Sequence, residues 1–402
     1  MLHNLFCSNM FSIGEEVELN FSLNKSDRFD DTSAIEAGER VGKVLMISGH
    51  NASGKTNLLK VLSFLNWFVF SSFKELDPDQ EIPFQPHFFT EKSSSEVEIT
   101  FGAGGDLYRY FLKLNKSRVL EEELHKRSSE THKYNYLFKR EWDSKAKKYK
   151  LSQAGFGFNQ RGVSLRENAS FLAQALHHGV EHAKEIKEKI YVFSNVNFLN
   201  RAPSLTGLLP VIDSASEFFH NDECYFGLAK KFFASLDLGV DDFVIEKQKN
   251  VIQGVNKKTI YVPYGIHKQD GKKIKQHLSY ESTGTQMIFA LSADIMQALD
   301  NGGVAIIDEL DSDLHPDTVS SIVNLFIHPS TNPNNAQLIF TSHNHEVMNK
   351  LTKKQIVLVE KNDHDTDAWL LSDVEDVRAD DNFYKKYRSG AYNAVGDLTS
   401  YE

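Results

Sequence analysis

The segment from Gly49 to Thr56 constrains the fold of this 402-residue chain more than any other part of the sequence. It reads Gly-His-Asn-Ala-Ser-Gly-Lys-Thr, and it lies between an apolar run, Val41 to Ser48, and a run that predicts a helix from Thr56 to about Phe73. A strand, a glycine-containing loop and a helix N-terminus in this order place backbone N–H groups around a phosphate. The alternative interpretation is a glycine turn capped by Thr56.

Each residue type in this phosphate loop has a physical reason to be there. Glycines let the backbone N–H groups turn inward, and the helix N-terminus adds a partial positive charge. Lys55 is expected to reach the terminal phosphates, and the Thr56 hydroxyl is expected to ligate Mg²⁺. The predicted nucleotide-binding residues of this segment are Gly49, Asn51, Ser53, Gly54, Lys55, Thr56 and Asn57.

A second segment delivers two carboxylates. The apolar run Val304 to Ile307 predicts a strand, and Asp308 and Glu309 follow it at the end where open α/β sheets bind ligands. We expect Asp308 to hold Mg²⁺ through water and Glu309 to polarise an attacking water. An apolar run that ends in Asp-Glu is usually structural on its own, but together with the phosphate loop it predicts a site for ATP and Mg²⁺.

Three further segments resemble landmarks of one class of ATPase. Glu281 to Gln286 opens a predicted helix just upstream of the carboxylates; it resembles the ABC signature and keeps that signature's Ser282 and Gly284. Leu310 to Pro316 resembles a dimer-contact loop followed by Leu-His-Pro. His343 follows another apolar run, in the place of a switch histidine. Taken alone, a serine such as Ser282 is more often a helix cap, and a lone histidine at a strand end is usually structural.

These motifs, with the opening segment Ser8 to Ile13, make the chain similar to ABC/SMC-type, AAA-like ATPases grouped with RloA, AbiL and OLD proteins. Its signature departs from Leu-Ser-Gly-Gly-Gln and resembles the Ser-x-Gly-Thr variant of that group. The resemblance implies an α/β fold of the ABC-ATPase P-loop type, with an antiparallel β meander and an inserted helical lobe. It also implies a homodimer or larger oligomer in which Ser282 and Gly284 of one copy contact nucleotide held by the other.

The resemblance also assigns the catalytic roles. Glu309 is implied as the catalytic carboxylate, and His343 as the residue that senses the γ-phosphate. Gln85 is a candidate lid glutamine that touches Mg²⁺ or water, although Ile82 to Pro86 also fits an ordinary connecting loop. The run Asp311-Ser312-Asp313 fits a nuclease metal site as well, but its position after Glu309 favours the dimer-contact loop.

Hydrophobic periodicity divides the chain into three predicted parts. Residues 1–155 form an N-terminal ATPase lobe with the phosphate loop and short alternating segments typical of a β meander. Residues 156–240 carry apolar residues at three- and four-residue spacings, which predicts a helical insertion. Residues 241–402 form a C-terminal ATPase lobe in which helices alternate with buried strands.

Composition and charge limit the partners. No apolar run approaches the roughly 20 residues of a membrane helix, and the start lacks a signal-peptide pattern, so we expect a cytoplasmic protein without a membrane partner. The formal net charge of −10 disfavours indiscriminate binding of nucleic acid. Basic residues are nevertheless concentrated in Lys113 to Lys150 and Lys268 to Lys275, either as a nucleic-acid stripe or as the solvated faces of hairpins.

The resemblance leads to one favoured function and several alternatives. It implies a slow, dimerisation-dependent ATPase that serves as the sensor or regulatory subunit of a bacterial anti-phage, abortive-infection system, similar to Septu- and PARIS-type ATPase subunits. Such a subunit acts with a separately encoded effector, for example a nuclease or toxin, and responds to DNA or a phage-derived trigger. The main alternative is a RecF/SMC-like ATPase of DNA repair or replication. A nucleotide-gated scaffold with negligible hydrolysis is a third reading, and a transporter ATPase is the least favoured.

Overall fold

The computed structural model of the chain describes residues 1–25, 27, 30–90, 93–128, 130–198, 208–236, 238–250 and 258–392. The first half of the chain is rich in strands and contains the long helix that follows the phosphate loop. Its elements are β1 (Leu2–Met10), β2 (Ile13–Asn20), β3 (Ser33–Glu36), β4 (Glu39–Gly42), β5 (Val44–Ser48), α1 (Lys55–Glu75), β6 (Ser95–Ala103), β7 (Asp106–Leu114), β8 (Val119–Arg127), β9 (Tyr134–Asp143), β10 (Lys148–Gln153), α2 (Phe171–His177), α3 (Glu181–Glu188) and β11 (Val192–Ser194).

The second half of the described chain alternates helices and strands. Its elements are α4 (Leu209–Asn221), α5 (Glu223–Ala234), β12 (Asp242–Asn250), β13 (Lys258–Gln269), β14 (Lys272–His277), α6 (Thr283–Asn301), β15 (Val304–Ile307), α7 (Pro316–Ile327), β16 (Gln337–Thr341), β17 (Ile356–Asn362), β18 (Asp365–Leu370) and α8 (Phe383–Arg388).

A six-stranded sheet forms the centre of the molecule, in the order β11-β15-β16-β5-β17-β18. The strands pair in parallel except for β17 with β18. Successive side chains of a strand point to opposite faces, and in β5 this separates two hydrophobic cores. Leu45 and Ile47 pack in the core that contains α1, whereas Val44 and Met46 pack in the core that contains α6 and α7. Burial on both faces explains why the strand reads as a continuous apolar run.

A seven-stranded antiparallel sheet, in the order β10-β9-β8-β7-β6-β1-β2, packs on the α1 side of the central sheet. Strands β6, β7 and β9 lie within residues 1–155, where short alternating segments predict a β meander; the ABC-type character of this meander stays a prediction. The sequence pattern does not predict strand β8. Its sequence, Val-Leu-Glu-Glu-Glu-Leu-His-Lys-Arg, is too rich in charge to resemble a strand that packs in a core.

The charge in β8 is accommodated by a buried ion pair. Glu122 and Arg140 are both completely buried, and the Arg140 guanidinium lies 2.9 Å from Glu122 Oε2. Glu122 also accepts hydrogen bonds from the Tyr110 hydroxyl at 3.0 Å, the Ser170 hydroxyl at 2.8 Å and the Phe171 backbone N–H at 2.8 Å. Because Ser170 and Phe171 begin α2, the carboxylate ties this helix to the sheet and meets the partial positive charge of its N-terminus.

The segment 156–240 contains helices α2 to α5, and it also contains β11. This three-residue strand pairs in parallel with β15 at the edge of the central sheet. Helices α4 and α5 pack with α6 and with a separate three-stranded sheet, β12-β13-β14. Phe219, Phe233, Phe243 and Phe289 form the aromatic centre of this region, with ring centroids 4.8 to 6.1 Å apart in the contacting pairs.

The basic residues of Lys113 to Lys150 are largely paired with acids. Within the described part of the chain, six pairs lie at or near the surface: Lys113 with Glu96, Arg118 with Glu167, Lys126 with Asp106, Arg127 with Glu39, Lys139 with Glu123 and Lys150 with Asp143. Only the pair of Arg140 with Glu122, among these described residues, is in the core. This pairing supports the interpretation of this stretch as solvated hairpin faces. Among the described helices, none has both the length and the apolarity needed to cross a bilayer.

Candidate functional site

Three neighbouring strands bring the predicted site residues to one edge of the central sheet. Strands β15, β16 and β5 lie side by side and run in parallel, so their carboxyl ends meet. Asp308 and Glu309 follow β15, His343 follows β16 and the phosphate loop follows β5. Sequence positions almost 300 residues apart therefore form one cluster at the edge where parallel α/β sheets bind ligands.

Two glycines of the phosphate loop are required by close packing. A Cβ at Gly49 would collide with the carbonyl oxygen of Val359 and would lie 2.7 Å from Ser53 Oγ. Gly54 has a φ of 110°, which favours glycine, and a Cβ there would collide with the side chain of Thr366. The phosphate loop therefore packs closely against β17 and β18, and its backbone is tightly curved. Ser53 Oγ is buried and has no hydrogen-bond partner among the described residues.

The side chain of Lys55 lies across the phosphate loop. Its Nζ donates to the carbonyl oxygens of Gly49 and His50, each at 2.9 Å. An ammonium has three N–H groups, so these two bonds leave one for a further acceptor. Burial lowers the pKa of Lys55, while the carboxylates of Asp308 and Glu309 act in the opposite direction. A buried cation beside the backbone N–H groups of a loop at a helix N-terminus is an environment suited to a phosphate.

Thr341 aligns the two carboxylate residues. Its hydroxyl donates to Asp308 Oδ1 at 2.6 Å and accepts from the Glu309 backbone N–H at 2.7 Å. Asn195, just after β11, fixes the backbone of Asp308 through two bonds: its Oδ1 accepts from the Asp308 N–H at 2.8 Å, and its Nδ2 donates to the Asp308 carbonyl at 3.2 Å. Sequence reasoning missed both residues; the only available signal was a hydroxyl at the end of the strand next to β15.

Glu309 adopts a left-handed backbone conformation with a φ of 50°. For a residue other than glycine this conformation costs on the order of 1 kcal/mol or more, so the surroundings must impose it. The Leu310 N–H donates to the Thr341 carbonyl at 2.9 Å, and the Ser312 N–H donates to the Glu309 carbonyl at 2.8 Å. The Ser312 hydroxyl also donates to Glu309 Oε2 at 3.2 Å. The strained turn points this carboxylate in one defined direction at the strand end.

His343 is exposed, and its backbone is fixed by Asp311. The His343 N–H donates to Asp311 Oδ2 at 2.9 Å, while Asp311 Oδ1 is buried with no hydrogen-bond partner among the described residues. Asp311 therefore links the loop after β15 to the loop after β16. The hydrogen bond from the His343 N–H gives Asp311 Oδ2 a structural role that does not require a nuclease metal ion.

Ser282 caps α6. Its hydroxyl accepts from the Thr285 N–H at 3.1 Å, which is the helix-cap geometry that the sequence allowed as an alternative. Gly284 approaches the carbonyl of Asp313 so closely that a Cβ would lie 2.6 Å from that oxygen. The start of α6 thus packs against the loop that follows Glu309. The contact of Ser282 and Gly284 with nucleotide in a second copy stays a prediction.

Two predicted ligand residues lie beside the N-terminal hairpin. The exposed Gln85 accepts from the Phe11 N–H through its backbone carbonyl at 2.7 Å. Asn57 donates from its amide to the Ser12 hydroxyl at 2.7 Å, so in this structure it holds α1 to the hairpin. Asn51 and Thr56 are exposed at the loop and at the start of α1. The ligand roles of these four residues stay predictions.

The oxygen donors at the site suit a magnesium ion bound together with phosphates. The Thr56 hydroxyl and the Asp308 carboxylate are hard oxygen ligands of the type that Mg²⁺ prefers. In the described parts of the chain, no group of three His, Cys, Asp or Glu side chains is arranged to hold a metal. A magnesium ion here would therefore need phosphate oxygens and water to complete its coordination, as is usual at nucleotide sites.

The parallel sheet, the phosphate loop and the carboxylates at its edge define an AAA-like protein of the P-loop class. A family model described as "AAA domain, putative AbiEii toxin, Type IV TA system" matches residues 44–349, about three quarters of the chain. The chain belongs to this family. The match begins at β5 and ends after β16, so it includes the phosphate loop, the Ser282 segment, the carboxylates and His343. No curated protein matches the chain.

Proposed function

We propose that the protein is an ABC-type ATPase whose active sites form between two copies, and that it is the sensor or regulatory subunit of a bacterial abortive-infection system. The observation that carries the enzymatic part is the convergence of Lys55, the Asp308–Glu309 pair and His343 at one sheet edge. The family's description, which names a type IV toxin–antitoxin system, supports the defence part and a separately encoded effector such as a nuclease or toxin.

In this proposal the phosphate loop binds and orients ATP. The backbone N–H groups of residues 49–56 and the remaining N–H of Lys55 bind the phosphates, and the start of α1 contributes its partial positive charge. Thr56 and Asp308 would hold Mg²⁺, which neutralises phosphate charge when bound. Gln85 is proposed as a further contact to the ion or its water.

Glu309 is proposed to orient the attacking water. Its carboxylate accepts a hydrogen bond from that water and takes up its proton as the water oxygen forms a bond to the γ-phosphorus and the bond to the ADP oxygen breaks. His343 donates to the γ-phosphate, whose charge it senses. Thr341 and Asn195 position Asp308, and the strained turn positions Glu309. Phosphoryl transfer depends chiefly on such positioning and on electrostatic stabilisation.

The second half of each active site is proposed to come from another copy. Ser282, Gly284 and the N-terminus of α6 form a surface suited to an anion, since a helix of 19 residues presents a partial positive charge there. A head-to-tail homodimer, alone or within a larger oligomer, would place this surface against the phosphates held by its partner. Residues 1–155 and 241–402 are then two ATPase lobes, with 156–240 as the inserted segment.

The proposal is tested most directly by purifying the protein together with the product of the adjacent gene and measuring ATP hydrolysis and protection against phage. Phosphate release from ATP–Mg²⁺ is measured for the wild-type chain and for Lys55→Ala, with and without that product, and cells carrying either version are challenged with phage. We expect turnover and protection that both require Lys55. Absence of turnover in every combination would contradict the enzymatic part, and Lys55-independent protection would contradict its role in defence. A recombination protein encoded by the adjacent gene, in place of an effector, would instead favour a repair ATPase.

A further inference from the structure

The C-terminal helix α8 lies beside the loop that carries His343. The ring of Tyr387 packs on the ring of His345 with centroids 4.5 Å apart, and the Tyr384 N–H donates to Asn349 Oδ1 at 3.3 Å. Phe383 and Tyr387 are buried in the core that also contains β16 and α6. These contacts fix α8 next to the candidate site, although the family match ends at residue 349 and the roles proposed above make no use of this helix.

An open polar pocket of about 300 Å³ lies between α8, the His343 loop and the loop that follows Glu309. Asp311, His343, His345, Tyr384 and Arg388 are among the residues that line it. Asp311 Oδ1 and His345 Nε2 are buried and lack hydrogen-bond partners among the described residues. Buried polar atoms are normally satisfied, so two such atoms on residues that line one pocket indicate a place for a polar ligand or water.

Lys55 and Arg388 both act on the ring of His345, and of these two cations Arg388 is the one that lines the pocket. Burial, followed by the charges of His343, Lys55 and Arg388, lowers the pKa of His345 to about 4, while Asp311 opposes the shift. His345 is therefore uncharged at neutral pH. Lys55 and Arg388 both lie close enough to act on this one ring, and Arg388 is exposed with no ion pair among the described residues.

We propose that Arg388 is a second cation for the terminal phosphate of the nucleotide. The guanidinium turns into the pocket beside His343 and binds oxygens of the γ-phosphate, for which its planar, paired N–H groups are well suited. This inference rests on the proposed ATP site. It adds that Arg388 makes this site prefer ATP to ADP. Because ADP has no γ-phosphate, Arg388 stabilises bound ATP and leaves bound ADP unaffected.

Equilibrium binding to ATP analogues tests this role. Dissociation constants are measured by calorimetry for a non-hydrolysable ATP analogue and for ADP, each with Mg²⁺, in wild type, Arg388→Ala, Arg388→Lys and Lys385→Ala. We expect Arg388→Ala to weaken the ATP analogue by about tenfold or more and to change ADP by less than about twofold. Arg388→Lys should fall between Arg388→Ala and wild type. Lys385, which is exposed on the same helix, is the matched control and should leave both constants unchanged.

Three outcomes separate this inference from the proposed function. Equal weakening of both nucleotides by Arg388→Ala would show that α8 merely supports the fold. Unchanged dissociation constants would show that Arg388 does not contact the nucleotide and only interacts with the partial negative charge at the C-terminal end of α8. Either result overturns the proposed role of Arg388. The proposed ATP site still stands in both cases if ATP binding depends on Lys55. If the wild-type chain binds neither nucleotide, the proposed function itself fails.

Discussion

The hydroxyl of Thr341 lies 2.6 Å from Asp308 Oδ1 and donates a hydrogen bond to it. The same hydroxyl accepts from the N–H of Glu309, so one side chain at the end of β16 sets both carboxylate residues at the end of β15. The parallel pairing of these neighbouring strands makes this arrangement possible. The backbone position of Glu309, the proposed catalytic residue, thus depends on Thr341, to which the sequence motifs assign no role.

Thr341→Val should slow ATP hydrolysis by about tenfold or more. The valine has nearly the same shape but leaves Asp308 Oδ1 and the Glu309 N–H without their partner, a loss of about 1–3 kcal/mol for such groups. Thr341→Ser keeps the hydroxyl and is the control, which should retain most of the wild-type rate. Phosphate release at saturating ATP measures the effect. A valine variant with wild-type turnover would show that the hydroxyl does not position the site.

Lys55→Ala should abolish productive binding of ATP–Mg²⁺. The remaining loop offers neutral N–H groups only, and these do not replace a point charge at the terminal phosphates. Lys74→Ala, an exposed lysine at the far end of the same helix, should bind as the wild type does. Calorimetric titration compares the two variants. Wild-type affinity in Lys55→Ala would mean that this loop is not the phosphate site.

Glu309→Gln should bind ATP but hydrolyse it on the order of 10²-fold more slowly, since the nearly isosteric amide no longer polarises the water. Bound ATP then persists and favours association of two copies by mass action. Sedimentation velocity at matched protein concentration should show more dimer with ATP–Mg²⁺ than with ADP. A phosphate-release rate equal to that of the wild type would remove Glu309 from the catalytic role.

An association state of Glu309→Gln that ATP leaves unchanged would contradict nucleotide-driven closure, unless a constitutive interface already holds the dimer. Repeating the comparison with Ser282→Arg settles this case, because that variant should lose any ATP-dependent compaction within a standing oligomer.

Ser282→Arg should leave ATP binding by each monomer intact and suppress hydrolysis. A bulky cation at the start of α6 would block the phosphate of the second copy, whereas Lys55 and its loop remain unchanged. Loss of the helix cap costs roughly 1 kcal/mol, so Ser282→Thr, which keeps a capping hydroxyl, serves as the control for stability. Steady-state turnover is compared with calorimetric binding. Undiminished turnover in Ser282→Arg would contradict a composite active site.

Asp294→Asn should stabilise the protein at neutral pH by about 1–2 kcal/mol. Burial within α6 raises the pKa of Asp294 from 3.8 to about 6, and the side chain has no hydrogen bond or ion pair within the described residues. A folded-state pKa above the unfolded value stabilises the protein only at low pH. This contribution is lost as pH rises from about 3.8 to about 6.

Urea unfolding of Asp294→Asn and wild type at about pH 4, pH 5 and pH 7.5 measures this effect. The difference in the free energy of unfolding between variant and wild type should be smallest at the lowest pH and constant above about pH 6. A difference that does not change with pH would show that Asp294 is solvated and titrates normally in the folded state.

Local sequence was sufficient for the central strands and for the loops that carry the predicted site. Apolar runs at 44–48, 304–307 and 337–341 form strands because burial on both faces requires continuous hydrophobic residues. Gly49 and Gly54 predict a loop whose backbone N–H groups turn inward, and the φ of 110° at Gly54 agrees with this use of glycine. These features are encoded within short segments, and a single sequence is enough to find them.

The tertiary structure alone decided which distant residues act on those segments. Strand β8 forms despite its charge because Arg140, a neighbour only in space, neutralises Glu122. Strand β11 completes the central sheet with three residues, too few for a periodic signal, and so brings Asn195 to Asp308. Chain folding likewise brings Thr341 next to Asp308, and the packing of α8 brings Arg388 to the pocket beside His343. Side-chain hydrogen bonds and charges act over a few ångströms in space, and chain folding, not sequence separation, sets those distances.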